Sequence, residues 1–386
     1  MLAWEFEGAV DMIERRTVLA GAMAIASLRA APLRAEGRAY TDVAFGEAIV
    51  IDGLGGFGDP YGTDEAARFT ARAAAELRQS GASAVNFTVN EVGNEPGTWD
   101  KTIANIAQLD QIIADNGDLL VHARSAADIR AAKASRRIGI YYGVQDTSLI
   151  GTELDRLTQL RGLGVRIVQL NYNLRNLSGD GSLEPANAGL SKLGRATIER
   201  IEHERLLLDL SHGGQRTIAE AIAAATRPPL ISHTGCRALN ENPRNVWDAE
   251  MKACANKGGV IGIYWMPFLV ANSRPSAADL VAHMTHVKNL CGEDHVGIGT
   301  DGVIEKTVID DKARAQQRKF FEDRSKRGVA APGEGPDIFN IIAEWDDHMR
   351  FRHLADGLAR AGWTAAQTDK ALGANLLRLY ADVWGG

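Results

Sequence analysis

The sequence predicts a single α/β domain, a (β/α)8 barrel of the TIM type, on three observations. Eight short apolar runs recur along the chain, and amphipathic stretches with helical spacing separate them. This alternation of strand and helix is typical of parallel pairing. The runs are hydrophobic almost throughout, as expected for strands that are covered on both faces. Eight such units favour a closed barrel over an open sheet.

The strand candidates extend from residue 48 to residue 299. They are Ala48–Ile51, Ser83–Val89, Ile138–Val144, Arg166–Leu170, Leu206–Leu210, Pro229–Ser232, Gly259–Ile263 and Val296–Gly299. A further run, Leu119–His122, is predicted to be an accessory strand. The predicted helices are Glu65–Gln79, Asp128–Ser135, Thr152–Leu163, Leu193–Glu204, Thr217–Ala225, Ala249–Lys257 and Ala277–Leu290. Their apolar residues recur three and four positions apart, which is the spacing of one buried helix face.

A charged insertion follows the last strand candidate. It consists of the charged stretch Glu305–Arg327 and the turn-rich segment Ala330–Pro336, so we define the insertion as residues 305–336. Two interpretations stay open, a lid over the mouth of the barrel and a surface insertion with no part in the site. Two C-terminal helices close the chain, and the spacing of Thr364 and Gln367 predicts a capping box at the start of the last one.

The N-terminus is predicted to be a targeting segment. Arg15 and Arg16 precede the short apolar stretch Thr17–Leu28, and small residues follow it. A charged start, a short apolar region and small residues are typical of a signal peptide, and the paired arginines indicate twin-arginine export. We therefore expect the mature protein to be periplasmic.

The boundaries of this segment follow from the same pattern. We expect residues 1–35 to be removed and the barrel to occupy residues 36–386. Met12 would start the signal more naturally than Met1, so residues 1–11 are a candidate for a misassigned start.

Composition excludes several functional classes. The chain has 43 basic and 49 acidic side chains and a net charge of −6. This balance argues against nucleic acid or an anionic membrane as the main partner, since both need a clustered basic face. No apolar run reaches the roughly 18–20 residues of a membrane span. Three cysteines cannot form a disulfide framework.

Polar residues directly after the strand candidates form the candidate site, because barrel active sites are built at the carboxyl ends of the strands. These residues are Asp52, Gln145, Asp146, Asn171, Tyr172, Asn173, His212, His233 and Asp301. Imidazole nitrogens and carboxylate oxygens suit Zn²⁺, which can polarise a carbonyl and lower the pKa of bound water. We expect His212 and His233 to converge beside Asp301, which could accept a proton. The alternative for each histidine is a hydrogen-bonded core residue.

Other histidines and one cysteine are weaker candidates. His295 begins its strand and is expected at the opposite face of the barrel. His283 and His286 lie three residues apart on a predicted helix, and we expect both on the surface. His122 ends only the accessory run. Cys236 could offer a thiolate, but a buried free cysteine is commonly just a small apolar residue.

Five motifs in the second half of the chain carry a family resemblance. They are Asp209-Leu-Ser-His212, Ile231-Ser-His233, Asn242-Pro-Arg-Asn-Val246, Gly258-Gly-Val-Ile-Gly262 and His295-Val-Gly-Ile-Gly-Thr-Asp301. In this order they resemble the membrane (renal) dipeptidase family of binuclear zinc peptidases, and Leu372–Arg378 resembles that family's closing helix. The resemblance covers about residues 48–382. It implies a metallo-dependent-hydrolase barrel, hydrolysis of dipeptides or related amides, and frequent homodimers.

The resemblance also implies roles for individual residues. His212 and His233 match the pair that holds one zinc ion, and Asp301 matches the acid that handles the proton. Arg244 matches the residue that clamps the substrate carboxylate, a task suited to a guanidinium fork. Tyr172 falls where the family offers a histidine to the scissile carbonyl, and a phenol can also donate a hydrogen bond.

Three departures from the family concern the second metal ion. The histidine and aspartate of the first-strand motif are replaced by Leu54 and Gly56, and the bridging glutamate is replaced by Gln145. All three lost ligands bind the same ion. We therefore expect at most one zinc ion, held by His212 and His233, with water or Gln145 completing the site.

The sequence is compatible with three functions. The first is a metal-dependent hydrolase of a dipeptide or small peptide-derived amide. The second is a homologue with reduced or no zinc that performs other chemistry on a peptide-derived metabolite. The third is a binding protein that uses the barrel mouth as a carboxylate receptor. In the second, Tyr172, Asn173, Arg244 and Asp301 would bind the ligand without hydrolysing it, since fold alone does not fix function.

Overall fold

The computed structural model describes residues 40–63, 67–93 and 97–385, and its sheet confirms the predicted barrel. The strands are β1 Ile51–Asp52, β2 Ala84–Thr88, β3 Leu120–His122, β4 Ile138–Val144, β5 Val165–Gln169, β6 Leu207–Asp209, β7 Leu230–Thr234, β8 Val260–Ile263 and β9 Val296–Ile298. Their order is β1-β2-β4-β5-β6-β7-β8-β9, with every pair parallel. The accessory strand β3 pairs with β4 outside this path. All predicted strands are therefore present.

Hydrogen bonds between the two ends of the strand order nearly close the barrel. The amide of Gly53 donates to the carbonyl of Ile298 at 2.8 Å, and the amide of Asp301 donates to the carbonyl of Leu54 at 2.8 Å. The residues that follow β1 and β9 are thereby held side by side. Since both segments follow strand ends, this contact lies on the face where a barrel builds its site.

Helices precede, separate and follow the strands along the chain. They are α1 Asp42–Glu47, α2 Ala71–Gln79, α3 Thr98–Asp115, α4 Ala126–Ala134, α5 Asp155–Gly162, α6 Lys192–His203, α7 Gln215–Ala224, α8 Asp248–Asn256, α9 Ala277–Cys291, α10 Asp311–Lys326, α11 Arg350–Arg360, α12 Ala365–Asp369 and α13 Asn375–Trp384. The predicted capping box is confirmed, because the side chains of Thr364 and Gln367 each bind the other's backbone amide.

The predicted start of the first helix, Glu65, lies outside the described residues, but residues 67–70 are described and are not helical, so the helix is shorter than predicted. Helix α3 was not predicted. Helix α2 begins only at Ala71, because Thr70 caps it by accepting a hydrogen bond from the amide of Ala73. The amide of Thr70 itself donates to the carboxylate of Asp59 at 2.5 Å. Helix α3 buries residues three and four positions apart, including Ile106, but polar residues between them obscure that spacing in the sequence.

The C-terminal helix α13 packs against the barrel strands in one buried cluster. One side chain from each of seven barrel strands joins it, namely Ile51, Ala84, Tyr141, Ile167, Leu207, Leu230 and Val260. Helix α13 adds Leu376, Tyr380 and Trp384. The chain reaches this helix through Gly373, where a Cβ would lie 2.4 Å from the carbonyl oxygen of Ile49. This packing leaves the carboxyl ends of the strands as the face available for a site.

Two further points concern the targeting segment and membrane spans. The expected signal peptide, residues 1–35, lies outside them. Within the described ranges, no helix is both long enough and apolar enough to cross a lipid bilayer.

The prediction that His283 lies on the surface is wrong. Its side chain is buried in α9, where Nδ1 accepts a hydrogen bond from the amide of Cys236 at 2.9 Å. Its Nε2 donates to the carbonyl of Leu269, also at 2.9 Å. The ring therefore ties α9 to the segments that follow β7 and β8. Burial lowers the pKa of His283 to about 4, so the folded protein keeps the ring neutral.

This pKa predicts a loss of stability in acid. The unfolded chain binds the proton near pH 6.5 and the folded chain only near pH 4. The contribution of neutral His283 to the free energy of unfolding is therefore intact above pH 6.5. It declines by about 3 kcal/mol as the pH falls towards 4. Urea unfolding of His283→Gln between pH 7 and 4 should show a shallower decline than the unsubstituted protein. His203→Gln, at an exposed site, is the control, and equal slopes for His283→Gln and the unsubstituted protein would contradict the assignment.

Candidate active site

The structure brings four of the predicted site residues into one pocket of about 70 Å³. Tyr172, His212, Arg244 and Asp301 line it, and each follows the carboxyl end of a barrel strand. The other lining residues are Met266, Phe268, Phe320, Arg324, Glu334 and Asn340. Phe320, Arg324 and Glu334 belong to the insertion 305–336, which therefore lies over the mouth of the barrel.

His212 and His233 face each other through their Nε2 atoms, which are 2.8 Å apart. Both rings are buried. Burial, reinforced by the nearby charge of Arg244, holds the pKa of each imidazole well below its usual value. Both rings are therefore neutral, and neutral imidazole is the form that binds a metal ion.

The hydrogen bond of His212 fixes which of its ring nitrogens carries the proton. The Nδ2 of Asn173 donates to the carbonyl of Val329 at 2.7 Å. Its Oδ1 therefore faces Nδ1 of His212, 2.6 Å away, and must accept. The proton of His212 is thus on Nδ1, and its Nε2 presents a lone pair.

His233 is held in the same way from the other side. Its Nδ1 lies 2.7 Å from the hydroxyl of Ser232, which donates its own hydrogen to Asp209 at 2.5 Å. Nδ1 of His233 is then the donor, so its Nε2 also presents a lone pair. Glycines make room for this strand, because a Cβ on Gly299 would lie 2.0 Å from the carbonyl oxygen of Ser232.

These hydrogen bonds test whether the site suits a metal ion. Two lone pairs at 2.8 Å repel each other unless a cation or a shared proton lies between them. Ligating histidines characteristically donate their other N–H to a second partner, as Asn173 and Ser232 allow here. The donor set therefore fits one ion held by His212 and His233.

The residues do not fit a second metal ion. Leu54 is buried and apolar where the family has a histidine. The amide nitrogen of Gln145 donates to the hydroxyl of Thr88 at 2.8 Å, and in the described structure no hydrogen bond joins its side-chain oxygen to either histidine. Among the described residues, no group of three or more His, Cys, Asp or Glu side chains is placed to hold an ion, here or beside His212 and His233, so the two histidines are the only such ligands that the first position offers.

Arg244 is buried with part of its guanidinium unpaired. Its Nη1 donates to the carbonyl of Ser211 at 2.7 Å, and its backbone amide donates to the side chain of Asn242 at 2.9 Å. Its Nη2 is buried and has no hydrogen-bond partner in the described structure. An unsatisfied buried donor costs free energy, so this nitrogen is a ready partner for a ligand oxygen.

Asp301 presents a carboxylate that can exchange a proton near neutral pH. Burial raises its pKa to about 6, although Arg244 and Arg324 act in the opposite direction. Its backbone is left-handed, with φ of 53°. Strained residues of this kind are concentrated at functional sites.

Tyr172 and Asn173 are placed differently from each other. The ring of Tyr172 stacks on His212, with centroids 4.0 Å apart, and its hydroxyl accepts a hydrogen bond from Arg324 at 3.0 Å. The amide of Asn173 is occupied by His212 and Val329. Asn173 therefore orients a histidine, and the substrate-binding role predicted for it would require one of these bonds to break.

The sequence did not indicate the residues that support the site through other side chains or that cover it from the insertion. Asp209 accepts hydrogen bonds from the hydroxyls of Ser211 and Ser232 and so supports His233. Its position in the motif Asp209–His212 was a usable signal. Arg324 and Glu334 carried none, because they belong to a charged stretch that resembles any solvated helix and loop.

A family model decides the classification. The membrane dipeptidase model, peptidase family M19, matches residues 64–311, more than half of the chain. The chain belongs to the membrane dipeptidase family. The resemblance carried by the five motifs is thus confirmed, and the family includes solved proteins described as dipeptidases and metallopeptidases.

The chain is also similar to individual known proteins. The chain is 29% identical to the dipeptidase verJ of Clonostachys rogersoniana over 59% of its own length and 60% of that protein. It is 25% identical to an uncharacterized protein of Klebsiella pneumoniae, covering 72% and 94% of the two chains. A solved amidohydrolase from Pseudomonas aeruginosa is 30% identical with a TM-score of 0.75, covering 89% and 99%.

Restoring the lost ligands should restore the second ion. We expect the variant Leu54→His, Gly56→Asp, Gln145→Glu to bind about one more zinc ion per chain than the unsubstituted protein, because it returns two carboxylates and an imidazole. A Cβ on Gly56 would lie 3.7 Å from its nearest neighbour, a ring carbon of Phe87, which is an ordinary van der Waals contact, so the backbone there accepts a side chain. Elemental analysis measures the metal. The control is the variant Leu54→His, Gly56→Asn, which keeps Gln145 and so returns neither carboxylate. An unchanged zinc content in a folded triple variant would contradict the expectation that these three positions determine binding of the second ion.

Proposed function

We propose that this protein is a metal-dependent hydrolase that cleaves the amide bond of a dipeptide or a small peptide-derived substrate. The observation that carries the proposal is the buried, unpaired Nη2 of Arg244 in the pocket that also holds Asp301 and His212. A free donor for a carboxylate beside a proton acceptor and a candidate metal ligand is the chemistry that dipeptide cleavage needs. The family of the chain supports this proposal.

The protein's own side chains supply binding and proton transfer. Arg244 binds the substrate carboxylate and fixes the position of the scissile amide. Asp301 accepts a proton as water attacks and returns it to the leaving amine, for which a pKa of about 6 is suited. Tyr172 donates a hydrogen bond to the carbonyl oxygen. His212 and His233 would hold one zinc ion, which when bound polarises the carbonyl and lowers the pKa of water.

A second candidate is a homologue that binds or modifies a peptide-derived metabolite without hydrolysing it. The observation that favours it is the apolar Leu54 together with Gln145, which leave no ligands for the family's other ion. Such a protein would keep the carboxylate site at Arg244. We further propose that the protein acts in the periplasm after twin-arginine export, which rests on residues 1–35.

Metal and activity should disappear together. Protein purified without chelator should hold about one zinc ion per chain and hydrolyse members of a dipeptide panel. His233→Ala should lose both, because it removes one of two protein ligands. His203→Ala, which changes an exposed histidine, should keep both. Metal-free protein that binds dipeptides and cleaves none would instead favour the second candidate.

The carboxylate site has its own test. Arg244→Gln should raise KM for a dipeptide roughly tenfold or more, since a charged hydrogen bond is lost. The unsubstituted enzyme should discriminate against the same dipeptide with an amidated C-terminus, and Arg244→Gln should lose this discrimination. Arg237→Gln, in the same segment, is the matched control. Equal discrimination by both variants would show that another group binds the carboxylate.

A further inference from the structure

The insertion 305–336 contributes a buried ion pair to the roof of the pocket. Helix α10 is otherwise solvated and has no buried residue. Near its end, however, the side chain of Arg324 is only 12% exposed, and that of its partner Glu334 only 9%. A pair this well covered is not a solvated surface contact, so it has a defined place in the closed site.

The guanidinium of Arg324 is fixed by several hydrogen bonds. Its Nε and Nη2 donate to the two oxygens of Glu334 at 2.6 and 2.7 Å, a bidentate geometry. Nη2 also donates to the carbonyl of Val329 at 3.1 Å. These bonds set the plane of the group and direct Nη1 at the hydroxyl of Tyr172, 3.0 Å away.

This contact determines what the hydroxyl of Tyr172 can do. Arginine can only donate, so the phenol oxygen accepts from Arg324 and keeps its own hydrogen for another partner. No described residue accepts that hydrogen, and the ring is held by stacking on His212. The hydroxyl is therefore available as a donor to a group that enters the pocket.

Two asparagines tie the rest of the insertion to the site. Asn173 joins the carbonyl of Val329 to the ring of His212. Asn242 donates to the carbonyl of Pro332 at 2.7 Å and accepts from the amide of Arg244. The segment from Val329 to Glu334 thus contacts the supports of a candidate metal ligand and of the carboxylate-binding arginine.

We propose that Arg324 is a positioning residue that fixes the hydroxyl of Tyr172 as a hydrogen-bond donor to the substrate, so that the site is complete only when the insertion covers the barrel mouth. The inference deepens the proposed hydrolase function and rests on it. The covered pocket of about 70 Å³ is small beside the roughly 300 Å³ or more of typical ligand sites. Substrate therefore enters with the roof displaced, and closure brings Arg324 onto Tyr172.

The test is a double-mutant cycle on hydrolysis. Arg324→Ala and Tyr172→Phe should each lower kcat by roughly tenfold or more with a smaller effect on KM, because a donor to the transition state is lost or misplaced. The double variant should be no slower than Tyr172→Phe alone, since both changes remove one interaction. Arg318→Ala, on the exposed side of the same helix, should retain full activity.

A structural role would give a different result. If Arg324 only stabilises the fold, Arg324→Ala lowers Tm. Its effect on kcat is then either absent or independent of Tyr172, so that the double variant loses the product of the two single losses. Either result overturns the proposal. Arg324→Lys, which keeps the charge but not the fork, should remain impaired.

A binding measurement separates this inference from the proposed function. Titration calorimetry with a dipeptide phosphinate, a tetrahedral mimic, requires no turnover. If the unsubstituted protein binds the phosphinate without cleaving dipeptides, hydrolysis fails as a function. The positioning role is still supported if Arg324→Ala and Tyr172→Phe each weaken binding and the double variant binds no more weakly than Tyr172→Phe alone. Unchanged binding by Arg324→Ala overturns that role. If the unsubstituted protein neither cleaves dipeptides nor binds the phosphinate, both proposals fall.

Discussion

The contact between His212 and His233 is the interaction on which the rest of the site depends. Their strands are neighbours in the barrel, so two rings that are 21 residues apart in sequence meet through Nε2 atoms 2.8 Å apart. Asn173 and Ser232 hold the opposite nitrogens, and burial keeps both rings neutral. Neutral rings held this way direct two lone pairs at one point, which is the arrangement that the proposed metal site requires of its two histidines.

The residues found where the family binds its second ion affect what the proposed hydrolase requires of the other side chains. Leu54 is buried where a ligand would stand, and Gln145 is engaged by Thr88. Asp52, which the first strand retains, is occupied by the amide and hydroxyl of Thr300 at 2.8 and 2.5 Å. A hydrolase with one Lewis acid at most would depend more on hydrogen-bond donors, the role proposed for Tyr172, to stabilise charge on the carbonyl oxygen.

The insertion 305–336 lines the candidate site and is not only a surface feature of the barrel. The sequence left a lid and a surface insertion as alternatives, and most of α10 does resemble a surface helix. The difference lies in a few contacts, those of Arg324 with Tyr172, Val329 with Asn173, and Pro332 with Asn242. Asn173 illustrates the consequence, because a residue for which the sequence predicted substrate binding also bridges the insertion and a histidine.

The sequence by itself determined the barrel, its eight strands and the strand-end residues His212, His233 and Asp301, because apolar runs are local signals and parallel strands gather their carboxyl ends at one face. Its resemblance to the family also indicated which of the family's metal ligands are replaced. Only the tertiary structure decided the burial of His283, whose partners lie 47 and 14 residues away, and the pairing of Arg324 with Tyr172 across 152 residues. Such contacts depend on the path of the chain between distant segments, and no local spacing of residue types records that path.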